Sequence, residues 1–274
     1  MKTLATIYRK SLIVWSILAA HWIPAQAQVG VSIDSPRLYF EIGPGQSHVE
    51  QLVVSNPSKD YTMEMGISFD DWAYSESGEN LMYDAGKLPT SCAAWISVSE
   101  AYFSLAPGES KTLDIRMAMP ATHRDSVPVH TAILYITQLN PRDGKDQNGA
   151  NIRTAVRTGI KLYQRLPGTP HPDIEITNFY YKKSETPELV LAFDNTGTTW
   201  ADGNLNIELL DQSTGTKIEL PDRLFYTLPG DRRLQAISLP ADLRPSRYIA
   251  TAIINYGDAD IVKIAELEFG HGES

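Results

Sequence analysis

The stretch NIRTAVRTGIKLYQR, Asn151 to Arg165, reads as one long β-strand with two characters. Its first half alternates. Ile152, Thr154, Val156, Thr158 and Ile160 fall on one face, and Arg153, Ala155, Arg157 and Gly159 on the other. Successive strand side chains point to opposite faces, so one face is apolar and the other carries two arginines. The second half sets a lone lysine, Lys161, among Ile160, Leu162 and Tyr163. Pro167, Gly168, Pro170 and Pro172 follow and cannot continue a strand. The stretch therefore closes one domain and a stiff turn leads to the next.

Outward from that strand the chain shows no long helical periodicity. Upstream, short alternating runs are separated by Gly, Pro, Asn and Asp clusters: Val29–Ile42, His48–Ser55, Thr62–Trp72, Ala94–Val98, Phe103–Leu105, Lys111–Met119 and Val129–Leu139. A charged loop, Asn140 to Ala150, links the last of these to the opening stretch. Downstream, runs at 174–181, 188–193, 205–210, 217–220, 233–238, 248–255 and 261–269 alternate with turns, among them Asp202-Gly203. Regular short strands with turn chemistry between them predict an all-β protein. The expected architecture is two immunoglobulin-like β-sandwich domains in series, over residues 28–167 and 173–270. Ala106-Pro107-Gly108-Glu109-Ser110 and Leu228-Pro229-Gly230-Asp231-Arg232 hint that the two are related.

The first 27 residues read as a cleaved signal peptide. Lys2, Arg9 and Lys10 make a basic start, Ser11–Ile23 a short apolar core, and Ala25-Gln26-Ala27 a small-x-small cleavage site. The core is too short for a membrane span. Export is therefore expected. Loss of the three basic residues takes the formal charge from −9 to −12, which argues against nucleic acid and against anionic membrane surfaces. The single cysteine, Cys92, allows no internal disulfide and reads as a small core filler.

Signals for catalysis are poor. G-x-S-x-G, H-E-x-x-H and G-x-x-x-x-G-K-[ST] are absent, and His48, His123, His130, His171 and His271 lack ligand spacing. Asp70-Asp71 reads as a solvated strand end, and Asp202, Asp211 and Asp222 fit no calcium loop. No metal or cofactor is expected, and binding is favoured over catalysis. Two cations sit oddly among apolar neighbours: Lys161, and Arg37 in Pro36-Arg37-Leu38-Tyr39-Phe40. Each alone reads as a long side chain snorkelling from a strand edge. Together, from the first and last strands of one domain, they can hold a carboxylate, Arg with two parallel bonds and Lys as a point charge.

An ordered set of segments carries a resemblance. Ser32-Ile33-Asp34-Ser35-Pro36-Arg37, the apolar strand before Asn56, Phe103 to Ser110 with Leu113-Asp114-Ile115-Arg116, and Gly159 to Arg165 resemble the amino-terminal domain of periplasmic pilus (fimbrial) chaperones of the PapD type. The likeness spans roughly residues 29–167. It implies two immunoglobulin-like domains set in an L with a cleft between them. It also implies donor-strand complementation, in which a strand is lent to an incomplete pilin sandwich. By the same likeness Arg37 and Lys161 anchor the pilin's terminal carboxylate, Ile152, Thr154 and Val156 fill its groove, and Asn140–Ala150 is ordered by a partner. The implied partners are a pilin-like subunit and an outer-membrane usher, and the implied location is the periplasm. Thr154 departs from the large apolar residues expected at its place, which forfeits about 1–2 kcal/mol of burial. The second domain lacks the family's usual features. A secreted or surface-attached adhesin or structural module is the alternative reading.

Overall fold

The structure, a computed structural model, describes residues 30–123, 126–145, 149–257 and 261–272. The expected signal peptide lies outside the described residues. Within them the chain forms two immunoglobulin-like β-sandwiches, each around its own apolar cluster. No described helix is long and apolar enough to cross a membrane.

The first sandwich holds β1 (Ser32–Ile33), β2 (Arg37–Glu41), β3 (Ser47–Ser55), β4 (Met63–Tyr74), β5 (Asn80–Asp84), β6 (Ile96–Val98), β7 (Tyr102–Leu105), β8 (Ser110–Ala118) and β9 (Val129–Gln138). It also holds β10 (Arg142–Lys145), β11 (Asn151–Thr154) and β12 (Arg157–Arg165). One sheet runs β1-β3-β8-β6; the other runs β2-β12-β9-β4-β5, with β7 also on β4. The first predicted run changes sheets midway. β1 pairs antiparallel with β3, and β2 pairs parallel with β12. Pro36 at the crossover cannot donate to a ladder, yet its carbonyl accepts from the Lys161 amide at 3.0 Å. β9 lies between β12 and β4 and is buried on both faces, which explains its unbroken apolar run.

The opening stretch is not one strand. It divides at Ala155-Val156. β11 forms a separate antiparallel hairpin with β10, from Arg142 opposite Thr154 to Lys145 opposite Asn151. Only β12 belongs to the sandwich. Gln138 causes the break: its amide donates to the Val156 carbonyl at 2.8 Å, and its side chain accepts from the Val156 amide at 3.3 Å. The predicted loop Asn140–Ala150 thus contains a strand, β10.

The second sandwich holds β13 (Ile174–Lys182), β14 (Glu188–Asn195), β15 (Ala201–Asp211), β16 (Lys217–Glu219), β17 (Arg223–Thr227), β18 (Arg232–Ser238), β19 (Ser246–Tyr256) and β20 (Ile261–His271). Its sheets run β13-β14-β18 and β16-β15-β19-β20, with β17 also on β15. β17 was not expected from the sequence. Asp202-Gly203 is not a turn but lies inside β15. A Cβ at Gly203 would overlap the Asn255 carbonyl oxygen and crowd Tyr256 and Phe225, so glycine here serves close backbone approach.

The two sandwiches share one device. In Ala106-Pro107-Gly108-Glu109 the fourth amide donates to the first carbonyl at 3.0 Å, and Gly108 has φ 74°. Leu228-Pro229-Gly230-Asp231 repeats this at 3.0 Å with Gly230 at φ 82°. Proline first and a positive-φ glycine second suit a type II turn. A buried asparagine clamps each turn. Asn56 donates to the Tyr61, Leu105 and Ala106 carbonyls and brackets Gly108 and Glu109 through its own backbone. Asn195 brackets Gly230 and Asp231 in the same way. The acid closes the turn both times, Glu109 on the Ala106 amide at 2.7 Å and Asp231 on the Leu228 amide at 2.8 Å.

Asp71, expected to be solvated, is fully buried. Its carboxylate accepts from the Lys87 and Leu88 amides and from Ser91 Oγ, and so organises the loop after β5. Cys92 is buried, and burial pushes its thiol well up, as suits a core filler.

Candidate functional site: a cationic, aromatic cleft beside an open strand edge

β2 and β12 pair in parallel register, so Arg37 stands directly opposite Lys161 although 124 positions separate them. Both belong to the outer face of the five-strand ladder, with Tyr39, Tyr163, Trp72 and Tyr74. The second sandwich abuts that face. Tyr39 and Tyr163 pack on Trp200 with ring centroids 5.0 and 5.4 Å apart. Leu228 joins Trp72, Val129, Ile133 and Tyr163 in a third apolar cluster.

Lys161 Nζ donates to Tyr74 Oη at 3.0 Å and to Asn80 Oδ1 at 2.7 Å. It also lies 3.8 Å from the Trp72 ring centroid and 4.2 Å from that of Tyr74. Trp72 is held flat by its indole N–H, which donates to the Ala132 carbonyl at 2.9 Å. The Arg37 guanidinium stacks on Tyr226, from β17 of the second sandwich, at 4.4 Å. Neither Arg37 nor Lys161 has a carboxylate partner among the described residues. A third cation, Arg233, packs over Tyr74 at 4.7 Å and pairs with Asp231 at 2.8 Å. Among the described residues Asp231 is the one carboxylate paired with any of these three cations.

Electrostatics follow. Burial, then the like charges of Arg37 and Arg233, push the Lys161 ammonium down to about 8. Burial pushes the Tyr163 and Tyr74 hydroxyls above their ordinary range, so both stay protonated donors. An anion entering here meets an ammonium, a guanidinium and tyrosine hydroxyls, and competes with one carboxylate among the residues lining Arg37, that of Asp202.

The sequence-predicted groove residues lie apart from this cluster. Ile152 and Thr154 are exposed on β11, and Val156 is half-buried at the joint. Val156, Thr158 and Ile160 keep the phase of the fully buried Leu162, that is, of the sandwich's core face. β12 pairs with β9 along its whole length but with β2 only from Lys161 to Arg165. Arg157 to Ile160 therefore have a ladder on one side only among the described residues. This open edge leads directly to Arg37 and Lys161. Arg157 guards its far end, stacked on Tyr135 at 3.6 Å and paired with Asp70 at 3.2 Å.

Trp72, Tyr74, Asn80, Tyr226 and Arg233 escaped the sequence reading. One signal was available for Arg233: it shares the strand phase of Ile237, four residues on, where an apolar side chain is expected. Asp202, Asp211 and Asp222 form no metal-binding group. Asp211 accepts from Ser213 and Ser246, and Asp222 from Asn204 and Asn206. No cluster of three or more metal-ligating side chains occurs among the described residues.

No family model matches the chain, and no curated protein matches it. Among solved structures it is similar to the YadV chaperone, at 10% identity and a TM-score of 0.48, covering 87% of this chain and 99% of that one. It is similar to the chaperone DraB of E. coli, at 17% identity and 0.44, covering 87% and 98%. It is also similar to the Salmonella enterica SafA pilin in complex with the SafB chaperone, at 12% and 0.45, covering 90% and 99%. These three neighbours are described as chaperones, and the likeness is one of fold.

Proposed function

We propose that the protein is a periplasmic chaperone that binds an incomplete β-sandwich subunit, pilin-like in kind, by strand addition, and holds the subunit's terminal carboxylate between Arg37 and Lys161. One observation carries the reading: the one-sided edge Arg157–Ile160 ends at two cations that have no carboxylate partner among the described residues. A strand laid along that edge gains main-chain hydrogen bonds. Its last residue arrives beside Lys161, where a carboxylate completes the charge balance. Ile152, Thr154 and Val156 extend the same face upstream and enter the subunit's groove once β11 leaves β10. An outer-membrane usher would receive the loaded complex. The domain limits 28–167 and 173–270 belong to this reading, as does removal of residues 1–27 on export.

The test is co-purification from the periplasm of the native host with a neighbouring-gene subunit. Combined Arg37→Ala and Lys161→Ala substitutions are expected to abolish recovery of the subunit. Hydrogen exchange should show protection gained at 151–160 on binding. Undiminished recovery by the double variant would overturn the carboxylate anchor.

A further inference from the structure

We propose that Arg233 is a positioning residue: one buried guanidinium from the second sandwich sets the aromatic partners of both Arg37 and Lys161. The inference rests on the carboxylate-anchor reading for its binding consequence, though not for its geometry.

Arg233 is 1% exposed, and all five of its N–H donors are used. Nε and Nη2 both donate to the Tyr226 carbonyl, at 3.0 and 2.7 Å. Nη1 donates to the Ser75 carbonyl at 2.9 Å and to the Arg232 carbonyl at 3.1 Å. Nη2 also donates to Asp231 at 2.8 Å. The contacts divide between the two sandwiches. Tyr226, gripped by its backbone, carries Arg37 on its ring. Tyr74, whose ring lies against Arg233, offers its hydroxyl to Lys161. The next residue, Ser75, is gripped by its carbonyl, and the Leu234 amide donates to the Glu76 carbonyl at 2.8 Å. The β4–β5 hairpin is therefore stitched to β18 at the point where Lys161 needs its acceptors.

The paired Pro-Gly turns show where this arrangement resides. Glu109 of the first turn is exposed and caps only its own turn. Asp231 of the second makes the same cap and also receives Arg233. The guanidinium contributes in a second way, as a like charge beside Lys161. Arginine is required for the first role, because only its rigid fork makes five hydrogen bonds to these four acceptors; any cation fulfils the second.

Two substitutions separate these roles from simple interface packing. Side-chain NMR of Lys161 in the free protein reads its titration. Binding of a short peptide of alternating valine and threonine, with a free carboxylate or amidated, reads the anchor. In Arg233→Met the Lys161 titration should move up from about 8 by about half a pH unit. Arg233→Lys keeps the charge, so the titration should stay low, but preference for the free carboxylate should fall by about tenfold as Tyr226 and Tyr74 lose their grips. Arg233→Gln replaces the Met variant if that chain does not fold. An unmoved Lys161 in the neutral variant, or undiminished carboxylate preference in Arg233→Lys, overturns the proposal. If the wild-type protein does not distinguish the two peptides, the anchor reading fails, and the Lys161 titration still decides whether Arg233 acts on it.

Discussion

Raising the pH should release a carboxylate from the cleft well below the range where ordinary lysines titrate. Lys161 titrates near 8 in the free protein because burial and two neighbouring guanidinium groups disfavour its charge. A carboxylate beside it restores the charged form, so binding takes up a proton. At pH 7 about nine-tenths of Lys161 is charged, and at pH 9 about one-tenth. Full coupling would weaken binding about tenfold over that interval. Solvent screening of a half-buried ammonium reduces the effect to about three- to tenfold. Arg37 and Arg233 keep their charge throughout, and Tyr74 and Tyr163 are pushed upward, away from the window. Calorimetry with the free-carboxylate peptide, repeated in two buffers of different ionisation enthalpy, should show uptake of about half a proton at pH 8. The amidated peptide should show none. Lys161→Arg, charged at every pH, should flatten the profile. A flat wild-type profile, or the same slope in Lys161→Arg, would refute the reasoning.

The same depressed lysine has a consequence for stability. Its folded value lies below the unfolded one, so the charged form opposes folding below pH 8 and this opposition is relieved as pH rises from about 8 towards 10.5. Lys161→Met should therefore raise the melting temperature of the free protein at pH 7 while removing the carboxylate preference; a lower melting temperature would contradict this. Thr154→Leu should leave the free protein's stability unchanged, since Thr154 is exposed on β11, and should tighten subunit capture by about tenfold, the equivalent of about 1–2 kcal/mol of added apolar burial. Asn56→Ala should destabilise the first sandwich by about 2–4 kcal/mol in denaturant titration, because it strips donors from three carbonyls at a buried turn. Gly203→Ala should cost about 3 kcal/mol or more, because its Cβ meets the fixed Asn255 carbonyl. Gly159→Ala should cost less, about 1–2 kcal/mol, because its Cβ meets side chains and no backbone: the movable end of Ile133 at 2.8 Å and the edge of the Tyr135 ring at 3.1 Å.

Local pattern carried most of the architecture. Alternation at period two says which face of a strand is wet, and the Pro-Gly and Asn turns say where strands stop. Those two signals suffice for an all-β chain in two sandwiches. They also expose Lys161 and Arg37 as charges in apolar company, because a misplaced charge is visible against a regular pattern. Periodicity is silent on partners. Whether Arg37 stands opposite Lys161 depends on β2 leaving one sheet for the other at Pro36, which is decided by closure of the whole core. The division of Asn151–Arg165 depends on Gln138, a residue of another strand, occupying the Val156 backbone. Asp71 and Arg233 are polar side chains whose burial is tolerable only because distant backbone groups satisfy them. For Asp71 those groups lie in the loop after β5 of its own sandwich. For Arg233 the Ser75 carbonyl comes from the other sandwich, so that bond, like the cleft, exists only once the two sandwiches have met.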